Sequence, residues 1–132
     1  MSKKTYYIER FSAIVAAVIL LQTLYYKFTG HEDSVYIFQS LGMEPEGRIV
    51  LGVAELIIAV LLLFGRTAVY GAILGVMVLL GALISHLFIL GISVRGDGGK
   101  LFILAVITFV CCVYVLFARA EQFHGMFVKN DR

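Results

Sequence analysis

Charge is what this sequence has least of. Only 15% of its 132 residues are Asp, Glu, Lys or Arg, and 61% are hydrophobic. A soluble domain carries about a quarter charged residues. The shortage excludes a freely soluble domain, and the chain is too short to carry a separate one beside a membrane part. The net charge of +2 includes no basic stripe, so no nucleic-acid surface is expected. Cysteine is scarce too. Cys111 and Cys112 are neighbours, and neighbouring side chains on a helix point about 100° apart. They do not pair with each other and say nothing about redox compartment. Of the three histidines only His86 lies deep in an apolar run; His31 falls in a loop and His124 in the tail. Haem would therefore have one deep axial ligand. No zinc set and no Ser-His-Asp or Cys-His set can be assembled. The glycine-rich residues 93–99 (SVRGDGG) join two apolar runs and lack the P-loop pattern, which leaves a compact turn. No internal repeat is visible.

What the chain does have is long apolar runs. Residues 11–28, 49–64, 68–92 and 101–118 approach or exceed the roughly 20 residues that cross a bilayer, and inside hydrocarbon each must be a helix. The start (MSKK, then apolar residues from Phe11) resembles a signal peptide. Its apolar run is too long and no small-x-small site follows, so a retained first helix is expected. Lys3, Lys4, Arg10, Arg66, Arg119, Lys129 and Arg132 fall on one side of the four spans. Lys27, Arg48, Arg95 and Lys100 fall on the other. The positive-inside rule then places both termini in the cytoplasm. The expected fold is all-α: an integral membrane four-helix bundle, one domain over residues 1–132. Residues 34–42 form a short amphipathic helix in the outer loop between helices 1 and 2. Asp33 or Ser34 caps its start and Gly42 ends it. It either covers the bundle at the membrane surface or forms a lid over a cavity. Gly71 and Gly75 allow close helix approach, within the bundle or in a homo-oligomer.

Glu55 is the only carboxylate inside these runs. An ionisable group in hydrocarbon marks a functional site by default. At 1.5 Å per residue, Glu55 lies roughly 10 Å below the outer end of its helix, His86 roughly 8 Å and Thr108 roughly 12 Å, with Gln22 at a similar depth. All four helices place a polar group in one layer. Gly52, Glu55, Ala59 and Leu62 share a face of helix 2. Gly75, Ala82, His86 and Ile89 share a face of helix 3. Lys27 is off the Gln22 face, which reads as a cation reaching for the interface. The plainer reading of the layer is that it holds the helices in register. The sharper one is a buried site in which Glu55 and His86 share a proton or bind a polar head.

The segments LGMEPEGRIVLGVAEL (residues 41–56), FGRTA (64–68), SHL (85–87) and GDGGKLF (96–102), with Lys27 near the end of helix 1, resemble the DoxX and DoxX-like family. These are small four-helix bacterial membrane proteins. The resemblance implies a multi-pass protein of the bacterial inner membrane and a role for Glu55, His86 and Lys27. It also implies a link to a redox system, since the family name comes from a subunit of a quinone-linked thiosulfate-oxidising system. Distant relatives act as membrane assembly factors. No cofactor motif is present, a quinone being the one cofactor the resemblance suggests, and an enzyme is the less favoured reading. Three functions are carried forward. The first is an accessory protein holding a small amphipathic ligand, quinone or lipid, in an outward-facing cavity. Gln22, Tyr26, Lys27, Glu55, His86 and Thr108 are the candidates for its wall. Glu55 is the hydrogen-bonding or proton-accepting group and His86 its partner. The second is an assembly or scaffold subunit of a membrane complex. The third is an acid–base enzyme acting on a lipid-like substrate. Transport ranks last, because one buried carboxylate makes a thin relay.

Overall fold

The structure, a computed structural model, describes residues 1–120; His124, Lys129 and Arg132 lie outside the described residues, and with them part of the topology argument. Among the described residues all regular structure is helical. There are five α-helices: α1 (Lys3–Thr29), α2 (Glu32–Ser40), α3 (Glu46–Leu63), α4 (Ala68–Ser85) and α5 (Lys100–Ala118), with a π-helical turn His86–Leu90 extending α4. By length and composition, three of the described helices can cross a membrane: α1, α4 with its π turn, and α5. The sequence reading expects four. The difference is α3, whose 18 residues include Glu46, Arg48 and Glu55.

The long helices form a closed ring. α1 packs on α3 and α5, and α4 packs on the same two, so α1 and α4 stand diagonally opposite. Small residues make this possible. Ala13, Ala16, Ala17 and Leu20 recur at helical spacing on α1 and are buried, as are Ala59 and Leu62 on α3 and Ala68 and Ala72 on α4. The outer surface is apolar: Ile14, Val18, Val53, Ile57, Leu80, Ile84, Ile103 and Val110 are all exposed. A soluble monomer does not display apolar surface continuously on several helices, and a hydrocarbon environment accounts for it.

Three boundaries differ from expectation, each for a local reason. α1 begins at Lys3 rather than near residue 11, because Ser2 Oγ accepts a hydrogen bond from Thr5 N at 3.1 Å and caps it. Apolar counting cannot see a charged first turn. α2 begins at Glu32, capped by His31, whose Nδ1 accepts from Asp33 N at 3.2 Å; Asp33 and Ser34 lie within the helix instead of capping it. The helix expected over 68–92 gives way to the π turn at His86. The wider i→i+5 turn moves Ile89, expected on the inner face, to 61% exposed.

The 91–99 turn is built on Asp97. Its Oδ1 accepts from Val94 N at 3.0 Å and Gly99 N at 2.8 Å, and its Oδ2 from Leu101 N at 3.2 Å. Burial pushes the Asp97 pKa up, but these backbone N–H bonds together favour the anion and hold it below the usual carboxylate value.

Gly71 and Gly75 are both used inside the chain. A Cβ on Gly71 would meet Leu61 Cβ at 2.9 Å and the α3 backbone at Leu62 N, 3.0 Å, while one on Gly75 would meet Cys112 Sγ at 2.7 Å. Gly81, on the same helix, has nothing within 4 Å of that position. Gly71→Ala is therefore expected to destabilise by about 1–3 kcal/mol through overpacking. Gly81→Ala should be neutral or stabilising. Thermal unfolding of the two variants in one detergent checks this; equal melting temperatures would contradict the α3–α4 packing.

Candidate functional site

Glu55 sits one turn beyond Gly52 on the buried face of α3 and is 6% exposed. Its partner is not His86. Lys27, in the last turn of α1, brings Nζ to 3.0 Å from Glu55 Oε2. This pairing has a simple cause. Lys27 leaves α1 off the Gln22 face, but its four-carbon stem is long enough to cross to α3. The lysine read as an interface cation is 14% exposed in its side chain. The approach is an ion pair by distance, and among the described residues Oε2 receives no hydrogen bond of good geometry. The Thr23 hydroxyl stands against the same carboxylate.

Arg48 fixes the geometry from behind. Its Nε donates to both Glu44 oxygens, at 2.8 and 3.1 Å, and a terminal nitrogen donates to the carbonyl of Lys27 itself. The start of α3 is thereby tied to the end of α1, beside the Lys27–Glu55 pair.

His86 opens the π turn and is buried. Its Nδ1 lies 3.1 Å from the Gly91 carbonyl. A carbonyl only accepts, so Nδ1 carries the proton, and in the neutral ring Nε2 is left as an acceptor. The ring meets Phe102 edge-on at 5.7 Å. Thr108 is buried and donates to Leu104 O at 2.8 Å on its own helix. Tyr26 meets the His31 ring edge-on at 5.0 Å, and Gln22 is exposed.

All six sequence candidates, Gln22, Tyr26, Lys27, Glu55, His86 and Thr108, line one cavity of about 640 Å³. It occupies the end of the bundle where α1 finishes and α3 begins. The inner face of α2 borders it through Ser34, Ile37 and Phe38, with Leu41 just past the helix end, so the short helix covers the cavity. Most of the remaining wall is apolar. Among the described residues no three His, Cys, Asp or Glu side chains gather as a metal set.

The family model named DoxX matches residues 11–89, which takes in most of α1, all of α2, α3 and α4, and most of the π turn. The chain belongs to the DoxX family. With its three long apolar helices it is a multi-pass membrane protein. No curated protein and no solved structure matches it.

A second polar cluster escaped the sequence reading. Glu9 is fully buried and lies between two guanidinium groups. Arg119 reaches it with Nε at 2.8 Å from Oε1 and Nη2 at 2.8 Å from Oε2. Arg10 reaches it with Nε at 2.8 Å and Nη2 at 2.6 Å, and its Nη1 also donates to Leu63 O at 3.2 Å. The DoxX chain thus closes its other end with a carboxylate that joins α1, α3 and the exit of α5. The signal was there: Glu9 precedes the first apolar run by two residues, and Arg119 follows the last run on the same expected side. Removing one partner of a buried charge group strands the others, at about 3–5 kcal/mol. Glu9→Ala should therefore be the most destabilising single change in the polar set, larger than Glu55→Gln. Melting temperatures in detergent test this; Glu9→Ala matching the native protein would deny the clamp its structural role.

Proposed function

We propose that this DoxX-family protein is an accessory membrane protein that holds a small amphipathic ligand, a quinone or lipid, in the α2-covered cavity. The observation that carries the reading is the buried Lys27–Glu55 pair on the wall of an otherwise largely apolar space. About 640 Å³ lies within the range of small-molecule sites, about 300–1,000 Å³. A ligand of this kind would place its apolar tail along α4 and α5 and its head against Glu55. Chemically the pair offers an anion and a cation at contact distance. That arrangement orients a polar head and suits an accessory role; nothing in it needs a reaction.

One observation favours the scaffold reading as a rival. The Lys27–Glu55 pair itself bridges α1 and α3, as the Glu9 clamp does at the other end. A layer that only fixes register would hold its helices the same way. Filling the cavity separates the two. Gly81 lines it with open space around a would-be Cβ, so Gly81→Leu should fold and melt no lower than the native protein. If the cavity holds a ligand, native mass spectrometry will find small molecules on the native protein and lose them in Gly81→Leu. An unchanged small-molecule complement, or none on either protein, would leave the scaffold reading standing. The same spectra report subunit number.

A further inference from the structure

α3 and α4 meet tightly at one end and part towards the other. Near the turn that joins them, a Cβ on Gly71 would meet Leu61 Cβ at 2.9 Å and Leu62 N at 3.0 Å. Val78 and Ser85 follow Gly71 at steps of seven residues, close to two helical turns each, and continue the same face of α4. Gly71 is buried, whereas Val78 and Ser85 are only half-buried. Gly81, one turn before Ser85, is exposed and has nothing within 4 Å of a would-be Cβ. Met77, one turn earlier again, is 65% exposed. Yet Met77, Gly81 and Ser85 all line the cavity, as does the half-buried Leu51 on α3. Residues that face both the cavity and the outside mark a mouth.

This mouth opens onto hydrocarbon. Gly81 lies roughly 13 Å of helical rise below Leu90, well inside the span. Exposed apolar side chains stand on both of its helices, Val50 and Ile57 on α3 and Leu74 and Ile84 on α4. On α1 and α5 the exposed lining residues are different in kind: Gln22, Tyr26 and Lys100, all polar. We propose that the cavity opens sideways into the bilayer between α3 and α4, and that it takes a single-chain lipid. The polar head stays at Lys27 and Glu55, and the long chain leaves past Leu51, Met77 and Gly81. This deepens the ligand-binding reading and rests on it. A chain end pushed into water would lose its burial, while one pushed into hydrocarbon keeps it. The volume of about 640 Å³ therefore limits the head and not the chain. A glycerol head, which both donates and accepts hydrogen bonds, can meet the ammonium and the carboxylate together.

The chain contains no tryptophan, so an introduced one reports alone. The test uses the full-length protein in detergent with Met77→Trp at the mouth. Ile103→Trp is the control, since Ile103 is exposed on α5 and does not line the cavity. The probe is monopalmitin carrying a nitroxide at the end of its chain, and native mass spectrometry reports in parallel which molecules the protein retains. The nitroxide should quench Met77→Trp more deeply than Ile103→Trp, and unlabelled monopalmitin should reverse the excess. Adding Gly81→Leu to the Met77→Trp protein should abolish it. Equal quenching at the two positions with the probe retained would overturn the mouth and leave the ligand site standing. So would an excess that survives Gly81→Leu, or native molecules that bear no long chain. Excess quenching without a retained molecule would mean a bilayer lipid resting in the seam, and the proposal falls. If the protein retains neither the probe nor any native molecule, the ligand-binding reading falls and this inference with it.

Discussion

Glu55 faces Lys27 at one end of the bundle, and Glu9 lies between Arg10 and Arg119 at the other. Both arrangements answer the same constraint, that a charge removed from water must be matched by its opposite. They answer it to different degrees. Glu9 has each oxygen engaged by fork-shaped guanidinium groups and no accessible surface. Glu55 has one flexible ammonium, the Thr23 hydroxyl and an open space beside it. The saturated end behaves as a fastening. The under-saturated end has capacity left over, and the cavity lies there.

The contrast between the two carboxylates explains how much could be read from the sequence. Glu55 was legible because it interrupts an apolar run on a face that also carries Gly52 and Ala59, and that face is the buried one. Helical rise alone grouped His86 and Thr108 with Glu55, and all three line the one cavity. Lys27 was misjudged because angular spacing describes where a Cβ points, while a lysine stem can carry its charge across to a neighbouring helix. Glu9 was overlooked because a Glu-Arg pair at the edge of a hydrophobic run looks like the polar flank that any membrane helix has. Its burial depends on Arg119, 110 residues later, and no local pattern encodes that. The π turn left no sequence signature, and it moved Ile89 out of the face assigned to it.

The covering helix follows from the same physics. α2 is too short to be stable by itself. Its Phe38 is buried, and Ser34, Ile37 and Leu41 border the cavity. On its solvent side Arg95 approaches Asp33 at 3.3 Å and Glu32 at 3.6 Å. Exposed pairs of this kind contribute about 0–1 kcal/mol each, so apolar contact with the cavity rim is what chiefly seats the helix. What fills the cavity and what holds α2 are thus connected.

The arginine contacts to main-chain carbonyls have a mechanical consequence. Arg10 of α1 holds the carbonyl of Leu63 at the end of α3, and Arg48 of α3 holds the carbonyl of Lys27 near the end of α1. The antiparallel pair is bolted at both extremities, each helix supplying one bolt. α1 and α3 then act as a single rigid plate. At the Glu9 end the plate is also fastened to α5 through Arg119, so three of the four long helices are tied together there by side chains of charge.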